Sequence, residues 1–174
     1  SRLEETKREV VKEMILIAIG SNLRTETYGS PLKNCLKSVI LLRKNFFVNK
    51  VSKFYKTEPI PKSSQPWYVN GVVEIKTNLY PLDVLKKLFS IENHFKRIRK
   101  RKNEPRTIDL DLISYNRLIF KNNSLTLPHP RMHKRMFVIK PLCDINQKWE
   151  HPIFKEKAVN LLKKLANQKI FNIN

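Results

Sequence analysis

Asp109-Leu110-Asp111 is the spacing in this sequence with the sharpest chemistry. On a β-strand, residues i and i+2 point to one face, so the two carboxylates converge while Leu110 and Leu112 face the other way. Two like charges held that close repel, and a hard divalent cation relieves the repulsion. Mg²⁺ takes one or two carboxylates and fills its remaining sites with phosphate oxygens and water. Alone, a D-x-D pair is better read as a solvated strand face. Its neighbours strengthen the metal reading. Lys96, Arg97, Arg99, Lys100, Arg101 and Lys102 lie upstream, and Arg106 stands three residues before Asp109. A cationic loop leading into a carboxylate pair is the arrangement phosphoryl transfer needs, because arginine grips phosphate oxygens bidentately and a metal bridges phosphate to carboxylate. By itself that loop reads equally as a nucleic-acid patch or a solvated charge run.

Two further clusters carry chemistry. Pro128-His129-Pro130-Arg131-Met132-His133-Lys134-Arg135-Met136-Phe137 places two histidines at i, i+4 but lacks the glutamate of HExxH, so zinc is not expected. His129 and Arg135 are instead suited to phosphate, while spacing alone reads Phe137 as core. Tyr55, Thr57, Trp67, Tyr68 and Asn70 surround a proline-rich loop. Stacked aromatics with an amide suit a flat heteroaromatic ligand. Ordinary strand packing is the stronger reading of that cluster on its own.

These side chains must be held by elements that the pattern of the chain predicts. Met14–Ile19 is an apolar run ending in Gly-Ser-Asn, as a buried strand entering a turn would be. Helical spacing covers 30–43 and 81–95, each with a proline near its start. Strands are predicted over 47–57, 67–78 and 107–115, with 118–120 as a partner strand. A short helix is expected within 129–139 and a terminal one over 158–166. Leu161, Leu162 and Leu165 are read as one side of that last helix, packed on the sheet. Strands and helices interleave, giving an α/β sandwich of about four to six strands with helices on its faces.

The composition fits one domain. The chain has 174 residues, 41% apolar and 29% charged. Residues 1–13 read as a leader or an added remnant, with Met14 as a candidate start and 14–174 as a single domain. The longest apolar run is too short to span a bilayer. Two isolated cysteines, Cys35 and Cys143, point to a reducing cytoplasm. Three glycines leave no GxGxxG and no GxxxxGK[ST]. The net charge of +20 attracts polyanions, although lysine spread along a surface accounts for about half of that signal.

Six ordered blocks bring these residues together: IAIGSNL (17–23), SKFYKTEPI (52–60), QPWYVNGVVEIKTNL (65–79), the helix ending IE (91–92), RIRKRKNEPRTIDLDLISY (97–115) and LTLPHPRMHKRMFVIKPLCDI (125–145). In them the chain resembles the 6-hydroxymethyl-7,8-dihydropterin pyrophosphokinases of folate biosynthesis. The resemblance implies a ferredoxin-like α+β sandwich with a mainly antiparallel sheet and helices on its faces. It implies transfer of pyrophosphate from ATP to the pterin hydroxymethyl group, with release of AMP. By position, Asp109 and Asp111 match the carboxylates that bind two Mg²⁺ ions, and Arg97 and Arg106 match arginines that clamp phosphate. Glu92, Arg99, Lys102, Leu112, Thr126, His129 and Arg135 match ATP-site positions. Tyr68 and Phe137 match the pair that sandwiches the pterin, Asn70 the amide that reads its edge, and Thr57, Glu58 and Ile60 the loop beside it.

The family usually has glycine where Lys96, Glu104 and Pro61 stand, arginine at Lys102, and aspartate at Ser64 and Trp67. Lys96 and Glu104 carry a Cβ where the family uses glycine's freedom, and Lys102 keeps the charge but loses the bidentate fork. The partners expected are small molecules, with neither membrane nor nucleic acid, and the protein is expected to be a monomer in the cytoplasm. The rivals are a small RNA-binding protein and a family member that has kept the fold but lost turnover.

Overall fold

The structure is a computed structural model that describes residues 13–58, 62, 64, 66–97 and 107–173. Strand β1 (Ile15–Ser21) leads to helix α1 (Pro31–Asn45), then β2 (Phe47–Val51), β3 (Tyr55–Thr57) and β4 (Tyr68–Lys76). Helix α2 (Pro81–Arg97) and β5 (Asp109–Tyr115) follow, then a small ladder of β6 (Phe120–Lys121) and β7 (Thr126–Leu127). The chain continues through a 3₁₀ turn (Met132–Lys134), α3 (Met136–Asn146), α4 (Ala158–Lys164) and β8 (Ile170–Asn172). The main sheet runs β5-β1-β4-β3-β8, with β2 also paired to β4, and each described ladder is antiparallel. With β2 and β3, which both pair with β4, counted as one interrupted strand, the β-α-β-β-α-β order is that of the ferredoxin-like sandwich.

Register decides which side chains share a face, because residues opposite one another in an antiparallel ladder project together. Ile15, Ile17 and Ile19 stand opposite Ile75, Val73 and Gly71 of β4, and Ile17 and Ile19 stand opposite Leu112 and Leu110 of β5. All the isoleucines, valines and leucines of that set are buried in one core, together with Cys35, Val39 and Leu42 of α1 and Val84, Leu88 and Ile91 of α2. The other face carries Leu16, Val72 and Ile113 in a second core with Met136, Ile139, Leu142 and Ile145 of α3 and Ala158 and Leu161 of α4. α1 starts as its sequence requires, with Ser30 accepting a hydrogen bond from the Lys33 N–H and Pro31 in the first turn.

The expected 47–57 strand is two strands. At Ser52 the chain pins itself to Val72 through its backbone N–H and through the hydroxyl that accepts the Val72 N–H, so β2 ends and β3 restarts on β4. The partner strand expected at 118–120 pairs with β7, not with β5. α3 runs past Pro141, which removes one intrahelical N–H, because Val138, Ile139, Leu142 and Ile145 are all buried beneath it. β8 was not foreseen. No helix among the described residues is long and apolar enough to cross a membrane.

Candidate active site

On β1 the residues facing α3 shrink along the strand, from Leu16 to Ala18 to Gly20. Their cross-strand neighbours change in step. Leu16 still lies in the core. Ala18 stands between Val72 and Asp111, and Gly20 between Asn70 and Asp109. Tyr55 and Thr57 of β3 stand opposite Asn70 and Tyr68 and extend the same face. The taper leaves a cavity of about 500 Å³ between the sheet and the start of α3. Asp109 and Asp111 lie in its floor with Gly20, and Thr57, Glu58, Tyr68 and Asn70 form one wall. His129, Arg131, Lys134, Arg135 and Phe137 form the roof.

Local structure fixes each part. The Ser21 hydroxyl donates to the Thr107 carbonyl, tying the approach to β5 against the end of β1. A register shift between Leu112 and Ser114 leaves Ile113 as an extra residue on β5. Its carbonyl accepts the His129 N–H at 2.8 Å, which hangs the roof loop from the floor strand. The Thr57 hydroxyl donates to Asn70 Oδ1 at 2.8 Å, so the amide nitrogen is turned toward Gly20, where an added Cβ would stand 3.0 Å from it. The guanidinium of Arg135 sits 5.3 Å from the centre of the Phe137 ring, a cation over an aromatic face.

The electrostatics suit an anion held over carboxylates. Burial lowers the Arg135 pKa, as does Arg131, while Asp111 favours the charged form. Burial, then Arg135 and Arg131, push His129 down to about 4, so it is neutral at physiological pH. Its Nδ1 accepts the Arg131 N–H at 3.1 Å, which leaves the ring proton on Nε2. Asp109 and Asp111 offer hard oxygen ligands on one face of one cavity, and that donor set fits Mg²⁺ with phosphate and water completing its shell.

Several expectations resolve differently. Phe137 lines the cavity instead of filling a core. The aromatic cluster divides: Tyr68, Asn70 and Thr57 face the cavity, whereas the Tyr55 hydroxyl donates to Asp144 at 2.6 Å and Trp67 stacks on Phe171. His129 and His133 diverge, with His133 packed on His151 and Phe154. The Leu112 side chain is buried in the core of the α1 and α2 face, so only its backbone is placed to meet a ligand at the carboxylate face. Glu92 is buried on α2 and Thr126 is half-buried on β7; both elements pack against β5 outside the cavity. Ile60, Arg99, Lys102 and Arg106, and the side chain of Arg97, lie outside the described residues. Sequence reasoning missed Gly20, Ala18 and Gln168 as cavity residues. The shrinking series Leu16, Ala18, Gly20 was the available signal for the first two.

Residues 16–147 match the family described as 7,8-dihydro-6-hydroxymethylpterin-pyrophosphokinase (HPPK). The chain belongs to this family. Among the similar HPPK proteins is the 2-amino-4-hydroxy-6-hydroxymethyldihydropteridine pyrophosphokinase of Haemophilus influenzae, 40% identical over 158 residues that cover 91% of this chain and 96% of that protein. The Bacillus subtilis protein of the same name is 40% identical over 137 residues, covering 77% of this chain and 78% of that one. The folic acid synthesis protein FOL1 of Dictyostelium discoideum is 38% identical over 139 residues, which cover 80% of this chain and 20% of that longer protein. The crystal structure of wild-type HPPK-DHPS from Plasmodium falciparum superposes with a TM-score of 0.64 at 13% identity, covering 87% of this chain and 44% of that one. At that identity the likeness speaks to the fold, and the fold is the HPPK sandwich.

Proposed function

We propose that the protein transfers the pyrophosphoryl group of ATP to the hydroxymethyl group of 6-hydroxymethyl-7,8-dihydropterin, releasing AMP, as a step in folate biosynthesis. The observation that carries this reading is one cavity holding a carboxylate pair, a cationic roof and an aromatic wall with a pinned amide. Such a cavity receives a polyphosphate and a flat ring side by side.

The pterin lies between Tyr68 and Phe137. Asn70, with its oxygen held by Thr57, presents amide N–H groups to acceptors on the ring edge. Glu58 lines the same cavity, and Glu58 and Ile60 are assigned to that edge. The hydroxymethyl oxygen then attacks the β-phosphorus, and the bond from that phosphorus to the oxygen of the α-phosphate breaks. Arg135 holds polyphosphate oxygens, and neutral His129 donates from Nε2 to another. The N-terminus of α3 adds a positive end to the roof. Glu92, Arg99, Lys102, Thr126 and the Leu112 backbone are assigned to the rest of ATP. Arg97 and Arg106 are assigned to the charge that gathers as AMP leaves. Two Mg²⁺ ions, held by Asp109 and Asp111, would supply charge neutralisation and template the polyphosphate. We assign the reaction to one domain over 14–174, acting as a monomer in the cytoplasm.

The test is AMP formation from ATP, Mg²⁺ and the hydroxymethyl pterin. The wild-type protein is expected to form AMP, and Asp109→Ala and Asp111→Ala are expected to lose that activity while remaining folded. No AMP from the wild type, with salt-sensitive RNA binding indifferent to both substitutions, would overturn the reading in favour of an RNA-binding protein.

A further inference from the structure

We infer that Gln168 is a positioning residue for this reaction: its side-chain amide grips the backbone on both sides of Arg135 and sets where Arg135 and Phe137 stand in the cavity. The inference rests on the pyrophosphokinase reading above. Gln168 lies beyond residue 147, where the family match ends.

The geometry is a two-point clamp. Gln168 Oε1 accepts the Met136 N–H at 3.0 Å, and Gln168 Nε2 donates to the Lys134 carbonyl at 2.9 Å. One hydrogen bond leaves a peptide free to pivot, whereas two bonds flanking a residue fix both its position and its rotation. Arg135 is the N-cap of α3 but makes no side-chain cap bond. The cap comes instead from a residue distant in sequence, which leaves the guanidinium to the cavity and to the face of Phe137.

The clamp is itself anchored on both sides. The Gln168 N–H donates to the Leu165 carbonyl at 2.9 Å, and Leu165 is buried in the second core. Beyond it, β8 pairs with β3 and sets Ile170 opposite Thr57. Phe171 stacks on Trp67, the residue before Tyr68, with ring centres 5.6 Å apart. The segment from Leu165 to Asn172 therefore braces the roof directly and the pterin wall at two points. Met136, Val138, Ile139, Pro141, Leu142 and Ile145 are buried along α3, so loss of the clamp leaves the helix docked and frees only the two peptides that flank Arg135.

The experiment compares Gln168→Leu, which keeps the bulk and loses both bonds, with Gln168→Glu, which keeps only the acceptor for the Met136 N–H. For Gln168→Leu the expected result is a KM for the pterin raised about tenfold and a KM for ATP raised severalfold, with kcat within about threefold. Its Tm should stay within about 3 °C of wild type. The Met136 amide should exchange its hydrogen at least about tenfold faster, with the Leu142 amide unchanged. Gln168→Glu keeps the acceptor for the Met136 N–H but sets a carboxylate oxygen against the Lys134 carbonyl, so it should restore part of the Met136 protection and not the KM values. If Gln168→Leu does not fold, Gln168→Asn, one methylene too short to reach both groups, replaces it with the same expected outcomes. Unchanged KM values with wild-type turnover, equal Met136 exchange in the Glu and Leu variants, or an unchanged Met136 exchange rate would overturn the inference. A wild-type protein that forms no AMP would instead sink the pyrophosphokinase reading, and Met136 exchange would still decide whether the clamp exists.

Discussion

The two faces of the sheet are built from the same strands, one residue out of phase, and they do different things. Toward α1 and α2, the strands present Ile17, Ile19, Val73, Leu110 and Leu112, all buried. Toward α3, they begin with Leu16, Val72 and Ile113 and end with Gly20, Asn70, Asp109 and Asp111 around an open cavity. The first face holds the sheet to its helices along its whole length. The second does so for half its length and gives the other half to chemistry. Stability and catalysis are thus assigned by parity along the strand, and each can be broken without the other.

The largest contrast is between neighbours on β5. Asp111→Ala is expected to reduce turnover by about a thousandfold or more, from lost charge neutralisation, with little change in unfolding free energy. Leu110→Ala, one residue away on the opposite face, is expected to cost about 2–5 kcal/mol of stability while the folded fraction keeps its kcat. Denaturant titration beside single-turnover assays measures both, and a reversed pattern would break the comparison. Next, Phe137→Ala should weaken pterin binding about tenfold or more and leave ATP affinity nearly unchanged, as read by calorimetry. Equal losses for both ligands would make that ring structural.

The glycines sharpen the contrast at smaller amplitude. A Cβ on Gly71, on the α1 face, would fall 2.5 Å from a Phe54 ring carbon, so Gly71→Ala should destabilise by about 1–3 kcal/mol with unchanged ligand affinity in the folded protein. A Cβ on Gly20 would instead press on the Asn70 amide, so Gly20→Ala should raise the pterin KM severalfold with a near-normal Tm. The smallest effect is in pH. Burial and neighbouring cations hold His129 near pKa 4, and burial followed by His133 does the same for His151. The unfolded chain takes up these protons first, so stability should fall as pH drops from about 6.5 toward 4. Urea midpoints should show that slope, and His151→Gln should flatten it.

Much of this arrangement was legible because short-range rules govern it. The alternation in TIDLDLISY places both carboxylates on one face, and the Ser-Pro start and apolar spacing of 30–43 locate α1. What escaped was set by long-range contacts. β8 has three residues, too few for a periodic signal, and exists because β3 offers it an edge. The short helix expected within 129–139 is α3 at Met136–Asn146, which burial carries past Pro141. The division of Tyr68 from Trp67 required knowing that Phe171 would arrive beside the latter. Gln168 has no local pattern, since its role comes from a turn more than thirty residues earlier.

The extra residue at Ile113 has a sequel for how such a chain tolerates change. It falls two residues beyond the second carboxylate, so the irregularity in β5 leaves the aspartates in phase with β1. One residue inserted two positions earlier would throw one carboxylate across to the wrong side of the sheet. Insertions in this strand therefore act as a toggle, whereas substitutions act as a dial, and a lineage could adjust the site by the second route long after the first had closed.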